Sequence, residues 1–300
     1  MKKRSFTKTF FSYLFIVLIL VAVFTKRDKL LDFLPDSITS SHKIITAKNY
    51  MVVDMKTGKK VIAKGDKERI KPASLTKLFS LMVANKVMGP DEIVIARKEA
   101  MDMVKPGSSM ANIVPGKYYA KNIYHGIIAP SGNDTMYVLA DHLGGKINKD
   151  MTKATDRVRE YRKFLMEHLE NNGIKNTKLV DVTGYSDDNY TNLEDVSKVV
   201  KNLLKLDWFR ELSATSMVTT KTPSGKSLSF LNTNKFLDKE SNYYNPKISG
   251  VKTGSLDNYY NIVCLYKNNK STYLILIAGS ASDHFRYLDS LKMVELIEKL

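Results

Sequence analysis

A serine hydroxyl becomes a useful nucleophile near neutral pH only with a base beside it. Ser74-Leu75-Thr76-Lys77 supplies such a pair, because residues three apart on a helix share one face. Pro72 suits a helix start, which sets Ser74 at the positive end of the dipole, where backbone N–H groups can meet a developing oxyanion. The spacing alone says little, since Ser5–Lys8, Ser40–Lys43 and Ser249–Lys252 share it. Of these serines, only Ser74 opens an apolar helix. Leu75, Leu78, Phe79, Leu81 and Met82 surround Lys77 there, and enclosure lowers an amine's pKa enough for it to act as a base.

Two further clusters stand in contexts suited to a site. Ser131-Gly132-Asn133 is the only Ser-x-Asn in the chain; it follows an apolar stretch and precedes a helical one over 134–143. A turn and helix cap would account for it equally well. Lys252-Thr253-Gly254 leads into a β-rich end and fits a strand edge bordering a cleft, whereas Lys56-Thr57-Gly58 lies between two short apolar strands and reads as a hairpin turn.

The elements that must position these groups follow from periodicity. Residues 50–54 and 60–63 form a hairpin, and 261–267 with 271–279 form a second β pair around Asn268-Asn269. Between them the chain reads as helical. Residues 75–88 are apolar nearly all round and predict a buried central helix. Residues 155–171 carry Val158, Tyr161, Leu165 and Leu169 on one stripe, and 192–206 follow a Thr191-x-x-Glu194 capping box. Residues 285–300 form a last amphipathic helix. Strands at both ends predict one sheet assembled from the two ends, with a helical insertion.

Composition bounds the function. The chain has 300 residues, 43% hydrophobic and 26% charged, enough for a well-buried core. Its formal charge of +16, from 47 Lys and Arg against 31 Asp and Glu, suits an anionic neighbour such as a lipid surface or wall polymer. No Lys/Arg cluster with interleaved aromatics marks a nucleic-acid face, so nucleic acid is not an expected partner. The single cysteine, Cys264, reads as a core residue, and the five histidines form no His-Glu-x-x-His pattern, so neither a metal nor another cofactor is expected. Lys2, Lys3, Arg4 and Lys8 precede an apolar run over 10–24, the pattern of an export signal. At roughly 1.5 Å per residue that run spans about 24 Å against a bilayer core of about 30 Å, and flanking aromatics and lysines extend its fit. The domain plan is a signal or membrane anchor over 1–25, a spacer over 26–44 and a catalytic domain over 45–300. The domain is expected on the extracytoplasmic face, or secreted if the signal is cleaved.

Ser-x-x-Lys, Ser-x-Asn and Lys-Thr-Gly in that order are the signature of penicillin-binding proteins and serine β-lactamases. The chain most resembles the low-molecular-mass D-alanyl-D-alanine carboxypeptidases. The similarity runs through residues 71–78, 128–134, 232–237 and 250–254, a Gly-centred turn within 176–191, and in all roughly 45–300. The resemblance implies an α/β (α+β) fold of the β-lactamase/transpeptidase type: an antiparallel sheet flanked by helices, plus an all-helical subdomain. It also implies an acyl-enzyme on Ser74, with Lys77 as base and Ser131 relaying a proton to the leaving D-alanine. Asn133 would hold the substrate amide, and Lys252 and Thr253 its terminal carboxylate. Gly254 and Ser255 would complete that binding strand, the N–H groups of Ser74 and Ser255 forming the oxyanion hole. The implied partners are a peptidoglycan stem peptide ending in D-Ala-D-Ala, β-lactams as covalent inhibitors, and the cell membrane through the N-terminal segment. Many relatives carry a C-terminal β domain that is not expected here. Leu256 stands where the family usually has Thr, and Thr135 where it commonly has Ala, which puts substrate preference and turnover in question. A serine β-lactamase would add a deacylating Glu-x-x-Leu-Asn stretch, which the sequence lacks between the second and third motifs; a wall-peptide binder without turnover is the other alternative.

Overall fold

A computed structural model describes residues 45–300; the expected anchor and spacer lie outside them. In chain order, β1 (Asn49–Asp54) and β2 (Lys60–Lys64) are followed by a 3-10 turn, Ala73–Leu75, and the helix α1 (Thr76–Val87). Then come β3 (Ile93–Ala96), α2 (Lys98–Met101), β4 (Gly116–Tyr119), α3 (Ala120–Ile128), α4 (Asn133–Ile147) and α5 (Ala154–Asn171). Next are α6 (Leu193–Leu203), α7 (Asp207–Ser213) and the hairpin of β5 (Met217–Lys221) and β6 (Ser227–Leu231). The chain closes with β7 (Ile248–Leu256), β8 (Tyr259–Lys267), β9 (Thr272–Ser280) and α8 (Asp283–Ile297).

The main sheet is antiparallel with strand order β2-β1-β9-β8-β7, so the two ends of the domain meet at the β1–β9 pair. The strand period of two sorts its side chains between two cores. Val52, Ile262, Cys264, Ile275 and Ile277 face Tyr287, Met293 and Ile297 of α8. Met51, Val53, Val263, Leu274 and Leu276 belong to the larger core shared with the helices. Both faces are covered, which is why β8 and β9 read as continuous apolar runs instead of alternating. Within the helical part, α1 is buried continuously from Thr76 to Ala84.

Three sequence expectations need correction. Ser74 does not lie in the α-helix but in the 3-10 turn before it, entered through Ala73 at φ +48°. The cap of α6 is Asn192, whose Oδ1 accepts from Asp195 N at 2.8 Å; Thr191 instead pairs its hydroxyl with Thr177, and the helix ends at Leu203. The two-stranded sheets β3–β4 and β5–β6 were not foreseen. Cys264 is a buried core residue as expected, its thiol pushed up to about 12 by burial. Lys56-Thr57-Gly58 is the hairpin turn, with Gly58 at φ +73°.

Candidate active site

Ser74 and Lys77 are brought together by the turn that opens α1. Lys77 Nζ lies 2.9 Å from Ser74 Oγ and donates to Thr183 O at 2.9 Å. The lysine is fully buried, and burial lowers its pKa to about 7 against the opposing charges of Asp181 and Asp134. With one N–H held by the Thr183 carbonyl, the lone pair of the neutral amine is free for the Ser74 hydroxyl. The carbonyl is itself fixed by Asp181, whose carboxylate accepts from Thr183 N (2.7 Å), Thr183 Oγ1 (2.7 Å), Gly184 N (2.8 Å), Ser186 N (2.8 Å) and Asn189 Nδ2 (2.7 Å). Those bonds outweigh burial and hold the Asp181 carboxyl below its ordinary value.

Ser131 and Asn133 stand at the start of α4, both buried. Ser131 has φ +62°, and its Oγ is buried with no hydrogen-bond partner among the described residues. The turn is tied to the 109–113 segment: Asn133 N donates to Ser109 O at 2.8 Å, and the Asp134 carboxylate accepts from Ala111 N at 2.8 Å and Ile113 N at 3.2 Å.

The third motif lies on β7, the strand at the sheet's edge. A Cβ added to Gly254 would stand 3.2 Å from Ser74 N and 3.1 Å from Pro72 O, so the strand passes in van der Waals contact with the backbone of the nucleophile turn. Lys252 is buried, its amine donates to Thr253 O at 3.0 Å, and its pKa is lowered by burial and by the charges of Lys77 and Arg286. Thr253 Oγ1 bonds Thr233 Oγ1 at 2.7 Å. Ser255 Oγ accepts from Arg286 Nη1 at 2.9 Å, and Gly254 O from the same nitrogen at 3.3 Å.

Ser74, Asn133, Thr183, Ser255 and Leu256 line one cavity of about 420 Å³, rimmed by Pro106, Tyr185 and Asp257. The first two motifs thus each place a residue on this cavity, Ser74 and Asn133, and the third reaches it through Ser255 and Leu256, which follow it on β7. Lys77, Ser131, Lys252, Thr253 and Gly254 are not in the lining. Sequence reasoning missed three supports. Arg286 backs the edge strand from α8; Asn261 Nδ2 donates to Lys71 O at 2.9 Å and Pro72 O at 3.1 Å and so clamps the approach to Ser74; Asp181 holds Thr183. Only the last lay in a stretch with a visible signal, the Gly-centred turn. The arrangement offers a hydroxyl beside an amine whose pKa burial lowers to about 7, a second buried hydroxyl and a strand edge beside the nucleophile's own backbone. Those are the parts of serine acyl transfer.

Comparison with known proteins agrees. The D-alanyl-D-alanine carboxypeptidase DacF of Bacillus subtilis is 24% identical over 83% of this chain, which spans only 61% of DacF's length. The D-alanyl-D-alanine carboxypeptidase of Streptomyces sp. strain K15 is 28% identical over 79% of this chain and 82% of its own. The crystal structure of the Streptomyces K15 DD-transpeptidase superposes with a TM-score of 0.75 at 25% identity, covering 86% of this chain and 98% of that one. Residues 36–278 match the D-alanyl-D-alanine carboxypeptidase family, and the chain belongs to that family.

Proposed function

We propose that this protein is a serine-type D-alanyl-D-alanine carboxypeptidase that trims peptidoglycan stem peptides through an acyl-enzyme on Ser74. The observation that carries this reading is the buried Lys77 amine, 2.9 Å from Ser74 Oγ and lowered to about 7.

In the proposed cycle, Lys77 Nζ takes the Ser74 proton as Oγ bonds to the carbonyl carbon of the penultimate D-alanine. The carbonyl oxygen becomes an oxyanion, met by the N–H groups of Ser74 and Ser255; one such donor is worth about 3 kcal/mol. Collapse breaks the C–N bond, and the departing nitrogen takes its proton through Ser131, a general-acid step worth roughly 10²–10⁴ in rate. Asn133 holds the peptide amide. Lys252 and Thr253, with the Arg286 guanidinium behind Ser255, meet the terminal carboxylate. Water then attacks the ester with Lys77 again as base, restoring Ser74.

Residues 10–24 serve in this reading as the membrane tether, with the catalytic domain on the extracytoplasmic face. β-Lactams act as covalent inhibitors by the same acylation; the Listeria monocytogenes Penicillin-Binding Protein D2, 17% identical with a TM-score of 0.66, was solved bound to cefotaxime. Mass spectrometry after incubation with a β-lactam tests the proposal. One persistent adduct on Ser74, abolished by Ser74→Ala, is expected. An unlabelled protein would favour a binder without catalysis, and rapid penicillin turnover a β-lactamase.

A further inference from the structure

Thr135 follows Ser131-Gly132-Asn133-Asp134 but does not line the cavity. Its side chain is fully buried in the first turn of α4. A Cβ on Gly126 would stand 2.5 Å from Thr135 Cγ2, and one on Gly132 2.7 Å from Thr135 Oγ1, so the threonine fills the space that both glycines leave. Its hydroxyl donates to Gly132 O at 3.0 Å. The backbone donor to the same carbonyl, Met136 N, is weaker at 3.4 Å, and the hydroxyl is the shorter of the two bonds. Gly132 is the residue after Ser131, which holds φ +62°, a conformation that a residue with a Cβ keeps only under external constraint. Among the described residues Ser131 Oγ has no hydrogen-bond partner to fix it, so its position rests on the backbone of this turn.

We propose that Thr135 is a positioning residue for the Ser131 hydroxyl: by donating to Gly132 O it holds the Ser131–Gly132 turn in the geometry that protonates the leaving nitrogen. This rests on the acyl-transfer reading above. An amide cannot expel its nitrogen without a proton, whereas a thioester expels a thiolate without one. Loss of the hydroxyl therefore separates the two substrate types, which a purely structural role would not do.

The test compares Thr135→Val, which keeps the bulk against Gly126 but removes the donor, with Thr135→Ser, which keeps the donor. Ser74 acylation is measured in the full-length protein with a D-Ala-D-Ala peptide and with the matching thioester, alongside thermal stability. Thr135→Val should slow peptide acylation about tenfold while thioester acylation stays within about threefold, and Thr135→Ser should restore the peptide rate to within about threefold. Equal losses on both substrates, unchanged rates in Thr135→Val, or failure of Thr135→Ser to restore the peptide rate would overturn the proposal. If the native protein acylates with neither substrate, the acyl-transfer reading itself fails and takes this one with it.

Discussion

A lysine that serves as a base must be neutral when its substrate arrives, and burial shifts Lys77 toward that form. Its pKa of about 7, lowered by burial, lies where small changes in pH change the fraction of usable amine. Because the neutral form is the active one, Ser74 acylation should rise with pH about tenfold per unit below 7 and level off above it. A β-lactam acylation profile between pH 5 and 9 checks this, and a flat profile would show that Lys77 is not the base. Ser74 and Lys77 were legible because they are three residues apart and lead into an apolar helix. Arg286 and Asn261 were not: Asn261 reaches Lys71 and Pro72 from β8 across 190 and 189 residues of chain, Arg286 reaches Ser255 from α8 across 31, and no local pattern marks either. Thr135 was visible as a departure from the family, but whether its side chain met the cavity or the interior depended on packing against Gly126, which spacing does not encode.

The loop before α6 works as an element in its own right. Asp181 gathers the N–H groups of the turn around one carboxylate and so fixes Thr183 O against Lys77. Asp181→Ala should cost about 2–4 kcal/mol of stability through the donors it orphans, and slow Ser74 acylation as well. Denaturant unfolding with acylation kinetics measures both; native stability with slowed acylation would confine Asp181 to the site. Since its folded pKa is lowered, its contribution is fully present above the ordinary aspartate value and lost as pH falls through the folded one. Most long elements were legible from their periodicity, including the two terminal β pairs and α5. The four- and five-residue strands β3 to β6 were not, since a short apolar run carries too few residues to show a period. The 3-10 turn at Ser74 also escaped, because its entry through Ala73 at φ +48° answers to packing rather than to propensity.

Across the described residues, β1 from the start of the domain inserts between β2 and β9, which joins the two ends of the domain in one sheet whose edge strand is β7. That closure sets Gly254 against the backbone of Ser74 and makes one cavity from motifs about 180 residues apart in the chain. The order of the motifs pointed to this arrangement; the contact itself comes from sheet register, in which Gly254 pairs with Asn261 and Asn261 in turn clamps Pro72. A net charge of +16 suits work beside an anionic wall. The most direct measurement is release of D-alanine from diacetyl-Lys-D-Ala-D-Ala by the full-length protein. The account predicts steady release that Ser74→Ala abolishes; an inactive native protein, or release that survives the loss of Ser74, would contradict it.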